Sequence, residues 1–204
     1  MDASRQQGPQ LPQNLAYSHG KDIRELPYVN CFSNRDAKDH KYDIAILGAP
    51  HDTTTTGRPG ARYGPSGIRT GSQRKGPEWS IYTGRNPLAD WATVVDCGDA
   101  HLPWLASRVS LQRLDKAHEV LAGRRAANAS VSATPRILTL GGDHTTTLSA
   151  LRSTSTRWGP ERLILNSSVH AGVRAPLVRR KGDLRYARCG FAVVTAWDID
   201  ALGV

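Results

Sequence analysis

The strongest constraint on this 204-residue chain is a repeated local pattern, a short apolar run that stops abruptly on small residues or proline. Residues 42–50 read YDIAILGAP, residues 91–100 WATVVDCGDA and residues 135–142 PRILTLGG. Runs this short, rich in Val, Ile and Leu, mark strands buried on both faces. Residues 161–169, ERLILNSSV, and 189–196, CGFAVVTA, have the same form. Between the second and third runs, Val109, Leu111, Leu114, Ala117, Val120 and Leu121 recur mostly at helical intervals, and Gly123 follows where a helix can stop. After Gly141 and Gly142, Asp143 or a following threonine can cap a helix that carries Leu148 and Leu151 on one face. Buried strands alternating with helices predict an α/β fold around a mainly parallel sheet. Residues 1–41 are polar and rich in Gln, Pro, Asn and Asp, and read as an irregular lead-in to a domain over 42–204.

Charge narrows the partners less than it first suggests. Lys and Arg number 27 against 18 Asp and Glu, a formal net charge of +9, with the densest basic cluster at residues 174–188. That cluster lacks interleaved aromatics, and no zinc or RNA-binding signature accompanies it. It reads as a solvated basic face, with no specific nucleic-acid partner. No apolar run is long enough to span a bilayer. The opening residues show neither an apolar signal core nor an arginine-rich amphipathic pattern, so no export or import address is expected. Cys31, Cys97 and Cys189 are an odd set without metal-type spacing, which points to a reducing, cytoplasmic setting.

Chemistry is expected beyond the carboxyl ends of the strands, where open α/β sheets gather their ligands. His144 lies there, in LGGDHTTT (140–147), on a turn that two glycines let bend sharply. A second glycine-rich stretch, LGAPHDTTTTGRPGARYGPSGIR (47–69), follows the first strand and opens a helix at Gly64-Pro65. It lacks the Gly-Lys-Ser/Thr ending of a phosphate-binding loop. The two stretches, in this order and together with SVHAGVRAPL (168–177), resemble the ureohydrolase (arginase/agmatinase) family, in its agmatinase-like branch. The resemblance runs from about Tyr42 to the chain end, with one large interruption, so residues 42–204 are read as a partial ureohydrolase domain.

The resemblance implies a three-layer α/β/α domain with a pair of manganese ions at the strand ends. It implies a hydrolase acting on linear amidine C–N bonds, which turns a small guanidino substrate into urea and an amine. It also implies homo-oligomeric assembly. A guanidinium is a resonance-stabilised, poor electrophile, and two divalent metals sharing one water generate the hydroxide that can attack it. Manganese favours oxygen ligands with some imidazole, so several carboxylates must accompany the histidines.

By resemblance, His144 is a metal ligand. The family's next ligand strand carries Asp-x-His-x-Asp, but here Ser167, Val169 and Ala171 fall at those places. His170 is one residue out of register, which turns a strand side chain to the opposite face. The chain therefore reads as shortened inside and at its end, rather than as carrying a damaged motif. Asp198 and Asp200 imitate the family's acidic pair, but their context suits a polar turn entering a helix. The segment with His170 and Arg174 corresponds at most to a substrate-side loop. Two other readings stand beside the leading one: an inactive variant or misassembled gene product of the family, and a basic nucleic-acid binder.

Overall fold

A computed structural model describes residues 16–17, 23, 26–33, 40–55, 57–74, 79–86, 90–159, 169–173 and 192–202. Of the strand expected over 161–169 only Val169 is described, and the basic cluster 174–188 lies outside the described residues. The chain divides into two compact units, residues 1–150 and 151–204.

The first unit is built on a four-stranded sheet in the order β1-β3-β2-β4. β2 (Ile44–Ala49) is central, flanked by β3 (Val94–Ala100) and β4 (Arg136–Gly141), and both pairings are parallel. β1 (Ala16–Tyr17) adds to β3 antiparallel. The three apolar runs are thus adjacent parallel strands, as their composition predicts. Alternation along β2 and β3 sends side chains to two faces. Ala45, Leu47, Val95 and Cys97 meet Leu114, Ala117 and Leu121 of helix α2 (Ser107–Ala122) in one core cluster. Ile46, Val94 and Leu140 form a second cluster. On this second face lies helix α1 (Gly64–Ser72), which follows a single 3-10 turn at Ala61–Tyr63 and has Pro65 in its first turn. Pro suits that position because its missing N–H would have had no partner there. The result is a three-layer α/β/α arrangement.

The lead-in does more than precede this domain. Tyr28 bridges to Asp96, the Val29 N–H donates to the Asp96 carbonyl at 3.0 Å, and the Asp96 N–H donates to the Pro27 carbonyl at 3.0 Å. Val29 and Cys31 are buried in the first core cluster. Cys31 and Cys97 are joined as a disulfide with a sequence separation of 66. The count of three thus concealed a pair.

Helix α3 (Thr146–Trp158) begins where the glycine turn predicts, but its inward face is not the one expected. Thr146 and Ser149 are its buried side chains, whereas Leu148 is 44% exposed. Leu138, in the middle of β4, is likewise 53% exposed. On α2 the buried stripe runs through Ser110, Leu114, Ala117, His118 and Leu121, which leaves Val109 outside.

In the second unit, β5 (Val169–Val173) pairs parallel with β6 (Ala192–Thr195), which leads directly into helix α4 (Ala196–Leu202). Of the run expected as a strand over 189–196, the described residues 192–195 are strand and Ala196 already belongs to the helix.

Candidate functional site at the strand ends

The carboxyl ends of the three parallel strands in the first unit lead into His51, His101 and His144. His51 is buried and His144 exposed. The turn that presents His144 is held close to the loop after β2. The Asp143 N–H donates to the His51 carbonyl at 2.7 Å. A Cβ built on Gly142 would lie 2.5 Å from both the Ala49 and His51 carbonyl oxygens, so only glycine permits this approach.

Asp143 fastens the two loops together. Its Oδ2 accepts from the Thr54 N–H at 3.2 Å and the Thr54 hydroxyl at 2.6 Å, and its Oδ1 accepts from the Thr145 N–H at 2.9 Å. Burial pushes this carboxyl up, but those donors from Thr54 and Thr145 outweigh it and hold it below the usual carboxylate range.

The glycine-rich stretch is ordered by ion pairs. Asp52, 2% exposed, accepts from Arg62 Nε at 2.7 Å, forms a second contact with Arg62 Nη2, and accepts from the Gly60 N–H at 2.7 Å. Hydrogen bonding to Arg62 is the largest influence on its carboxyl, which is lowered to about 2. The Arg62 guanidinium also lies 5.2 Å from the ring centre of Trp104, a cation–π contact at the edge of the same face.

A second clamp reaches from α1 into the sheet. Arg69 donates from Nε to Asp96 Oδ2 and from Nη2 to Asp96 Oδ1, both at 2.8 Å, and from Nη1 to Asp99 Oδ1 at 2.5 Å. Residues three apart on a regular strand face opposite ways. Here Gly98, at φ 73°, forms a bulge where the β2–β3 register shifts, and it turns both aspartates toward one guanidinium. Sequence reasoning missed this cluster and the Asp52–Arg62 pair. A signal was present, since two carboxylates inside a buried strand require a cationic partner.

These commitments decide what the site can hold. Among the described residues, no group of three or more His, Cys, Asp or Glu is placed to hold a metal ion. The carboxylates of the strand-end loops and of β3 are each engaged: Asp143 by threonines, Asp52 by Arg62, Asp96 and Asp99 by Arg69. Asp198 accepts from the Thr195 N–H at 2.7 Å and its hydroxyl at 2.6 Å, while its own N–H donates to Thr195 Oγ1 at 3.1 Å. That reciprocal pair is a capping box that starts α4. Hydrogen bonds from Thr195 lower the Asp198 carboxyl. His170 contributes backbone to β5, and Arg174 lies outside the described residues. The described donor set therefore does not fit a two-manganese centre.

A parallel α/β sheet flanked by helices, with glycine-rich loops meeting at its carboxyl ends, defines a class of strand-end enzyme folds. Within that class the chain belongs to the arginase family, whose model matches residues 42–176. It is 34% identical over 233 residues to "Putative agmatinase 1" of Schizosaccharomyces pombe, a match covering 88% of this chain and 57% of that protein. The proclavaminate amidinohydrolase structure from Streptomyces clavuligerus superposes with a TM-score of 0.68 at 26% identity, over 94% of this chain and 68% of that one. A Trypanosoma cruzi formiminoglutamase solved with Mn2+ shares the fold, with a TM-score of 0.55 at 16% identity over 85% of this chain and 66% of its own. The chain spans about 57% of the length of the first of these relatives.

Proposed function

We propose that this chain is an agmatinase-like ureohydrolase polypeptide whose metal centre is incomplete. The reaction of the complete fold, in this reading, is manganese-dependent hydrolysis of a small guanidino substrate to urea and an amine. The observation that carries it is the Gly141–His144 turn, which closes on the loop after β2 and leaves His144, a ligand by resemblance, exposed at the strand ends. Support for incompleteness is twofold. The match to the S. pombe relative runs over 233 residues, more than the 204 this chain possesses, so that relative carries residues inside the matched span that have no counterpart here. Ser167, Val169 and Ala171 stand where the resemblance calls for ligands. A single imidazole cannot hold two ions at the separation of roughly 3.5–4 Å that a bridging hydroxide needs.

The test is urea release from agmatine with added Mn2+, run beside His144→Ala and paired with electron paramagnetic resonance of unbound Mn2+. The expected outcome is no urea above background and a nearly full free-manganese signal. Robust turnover abolished in His144→Ala would overturn the incompleteness and leave the family reaction standing.

A further inference from the structure

Helix α2 is joined to β4 by a partly exposed loop, residues 123–135, that the strand-end chemistry does not use. Asn128-Ala129-Ser130 within it has the Asn-x-Ser pattern of an N-linked oligosaccharide acceptor. Sequence alone makes this a weak signal, but the local geometry adds to it. The Ser130 hydroxyl donates to Asn128 Oδ1 at 2.6 Å, and the Ser130 N–H donates to the same oxygen at 3.1 Å. A backbone N–H can only donate, so the atom it meets is the carboxamide oxygen, and Nδ2 is turned away from the serine. Donation to the oxygen draws electron density from the carboxamide and makes the Nδ2 proton easier to remove.

Asn128 itself is half-buried, and the residues that follow it open to solvent. Ala129 and Ser130 are exposed, and Val131 is 51% exposed. The loop is nevertheless anchored, because the Asn128 N–H donates to Asp43 Oδ1 at 2.7 Å, and the same carboxylate accepts from the Thr93 N–H at 2.9 Å. Asp43 immediately precedes β2, so this is the amino end of the parallel sheet. His51 and His144 lie at the other end, a six-residue strand or about 20 Å away. A group attached at Asn128 leaves the strand-end face open.

The second observation is the Cys31–Cys97 bond, formed between two buried cysteines. Such bonds persist in oxidising compartments, and in eukaryotes the secretory route supplies both the oxidant and the oligosaccharide donor. We propose that Asn128 is an N-glycan acceptor when the chain folds in a compartment that supplies both. In the transfer, Asn128 Nδ2 bonds to the anomeric carbon of a lipid-pyrophosphate-linked oligosaccharide. The anomeric C–O bond breaks, its electron pair leaves with the lipid pyrophosphate, and the Nδ2 proton passes to a base of the transferase.

The experiment directs the full chain into the yeast secretory pathway behind a cleavable leader, alkylates free thiols and maps peptides by mass spectrometry. Asn166 heads a second such triplet, outside the described residues, so the attachment point must be located by peptide. The expected result is high-mannose glycan on the Asn128 peptide in molecules that carry the linked Cys31 and Cys97 peptides. The glycan is lost in Asn128→Gln and Ser130→Ala and retained in Ser130→Thr, which separates acceptor recognition from loss of fold. Unmodified Asn128 in disulfide-bonded molecules, or glycan that persists in Ser130→Ala, would overturn the proposal.

Discussion

Replacing Arg69 by Met keeps most of the side chain's apolar stem and removes the only cation paired with Asp96 among the described contacts. Asp96 is completely buried and Arg69 is 6% exposed, so solvent cannot take over the lost charge. Asp96 would still accept from the Ile23 N–H at 3.1 Å and the Gly98 N–H at 3.0 Å, but as a buried carboxylate with no counter-ion. Breaking such a pair costs about 3–5 kcal/mol. Asp99 is 13% exposed at its side chain and adds less. In urea titrations followed by tryptophan fluorescence, the midpoint should fall by roughly 2 M, taking a slope of about 2 kcal/mol per M.

The pH dependence supplies the refutable part. In the parent, burial pushes the Asp96 carboxyl up, but hydrogen bonds from Arg69, Ile23 and Gly98 outweigh it, so the folded value is depressed. Its contribution is full above the unfolded carboxylate value, near 3.9, and is lost as pH falls through the folded value. Without Arg69, burial dominates and the folded value rises above the unfolded one. The variant's deficit should then shrink as pH falls from 7 toward 4, because the carboxyl can neutralise. Adding Asp96→Asn should recover about half of the loss, since an amide presents one N–H against a backbone donor. A loss below about 1 kcal/mol, or a deficit that grows on acidification, would refute the clamp as the source.

His118 should make stability pH-sensitive in the neutral range. Its ring, 1% exposed, contacts the Leu114 carbonyl at 3.0 Å and Ser149 Oγ at 3.1 Å through Nδ1, and Thr139 Oγ1 at 2.9 Å through Nε2. Burial lowers its pKa, so stability is full above the unfolded value of about 6.5 and declines as pH drops below it. His118→Gln should flatten that slope between pH 7 and 5 and cost about 1–3 kcal/mol at pH 7, both read from denaturant titrations. Gly142→Ala should displace the loop after β2 and lower stability by about 1–3 kcal/mol, with faster amide exchange over residues 51–55. An unchanged exchange pattern would show that the two carbonyls do not confine that turn.

The sheet was legible because buried parallel strands are written as continuous apolar runs, and 42–50, 91–100 and 135–142 have no competing reading. The position of His144 was legible for the same reason, since a strand that ends on two glycines fixes where the next side chain emerges. The charge clamps were not. Which way Asp99 points depends on the bulge at Gly98, and a bulge is a property of strand pairing rather than of local spacing. A leucine on an amphipathic helix ordinarily packs, yet Leu148 is exposed and Ser149 takes the inner position through its bond to His118. The pairing of Cys31 with Cys97 needed the lead-in to lie along β3, a contact made through main-chain atoms that no side-chain pattern encodes.

That same cross-link closes the chain into a covalent ring. The ring runs from Cys31 through β2, the Asp52–Arg62 loop and α1, and returns at Cys97 on β3. With a sequence separation of 66 between its ends, it restricts the unfolded ensemble by about 4 kcal/mol in the chain-entropy account. A protease that cuts anywhere within the ring opens it without releasing a fragment. The two pieces stay tethered, migrate as one species until a reductant is added, and keep α1 within reach of the strand that holds its counter-charges.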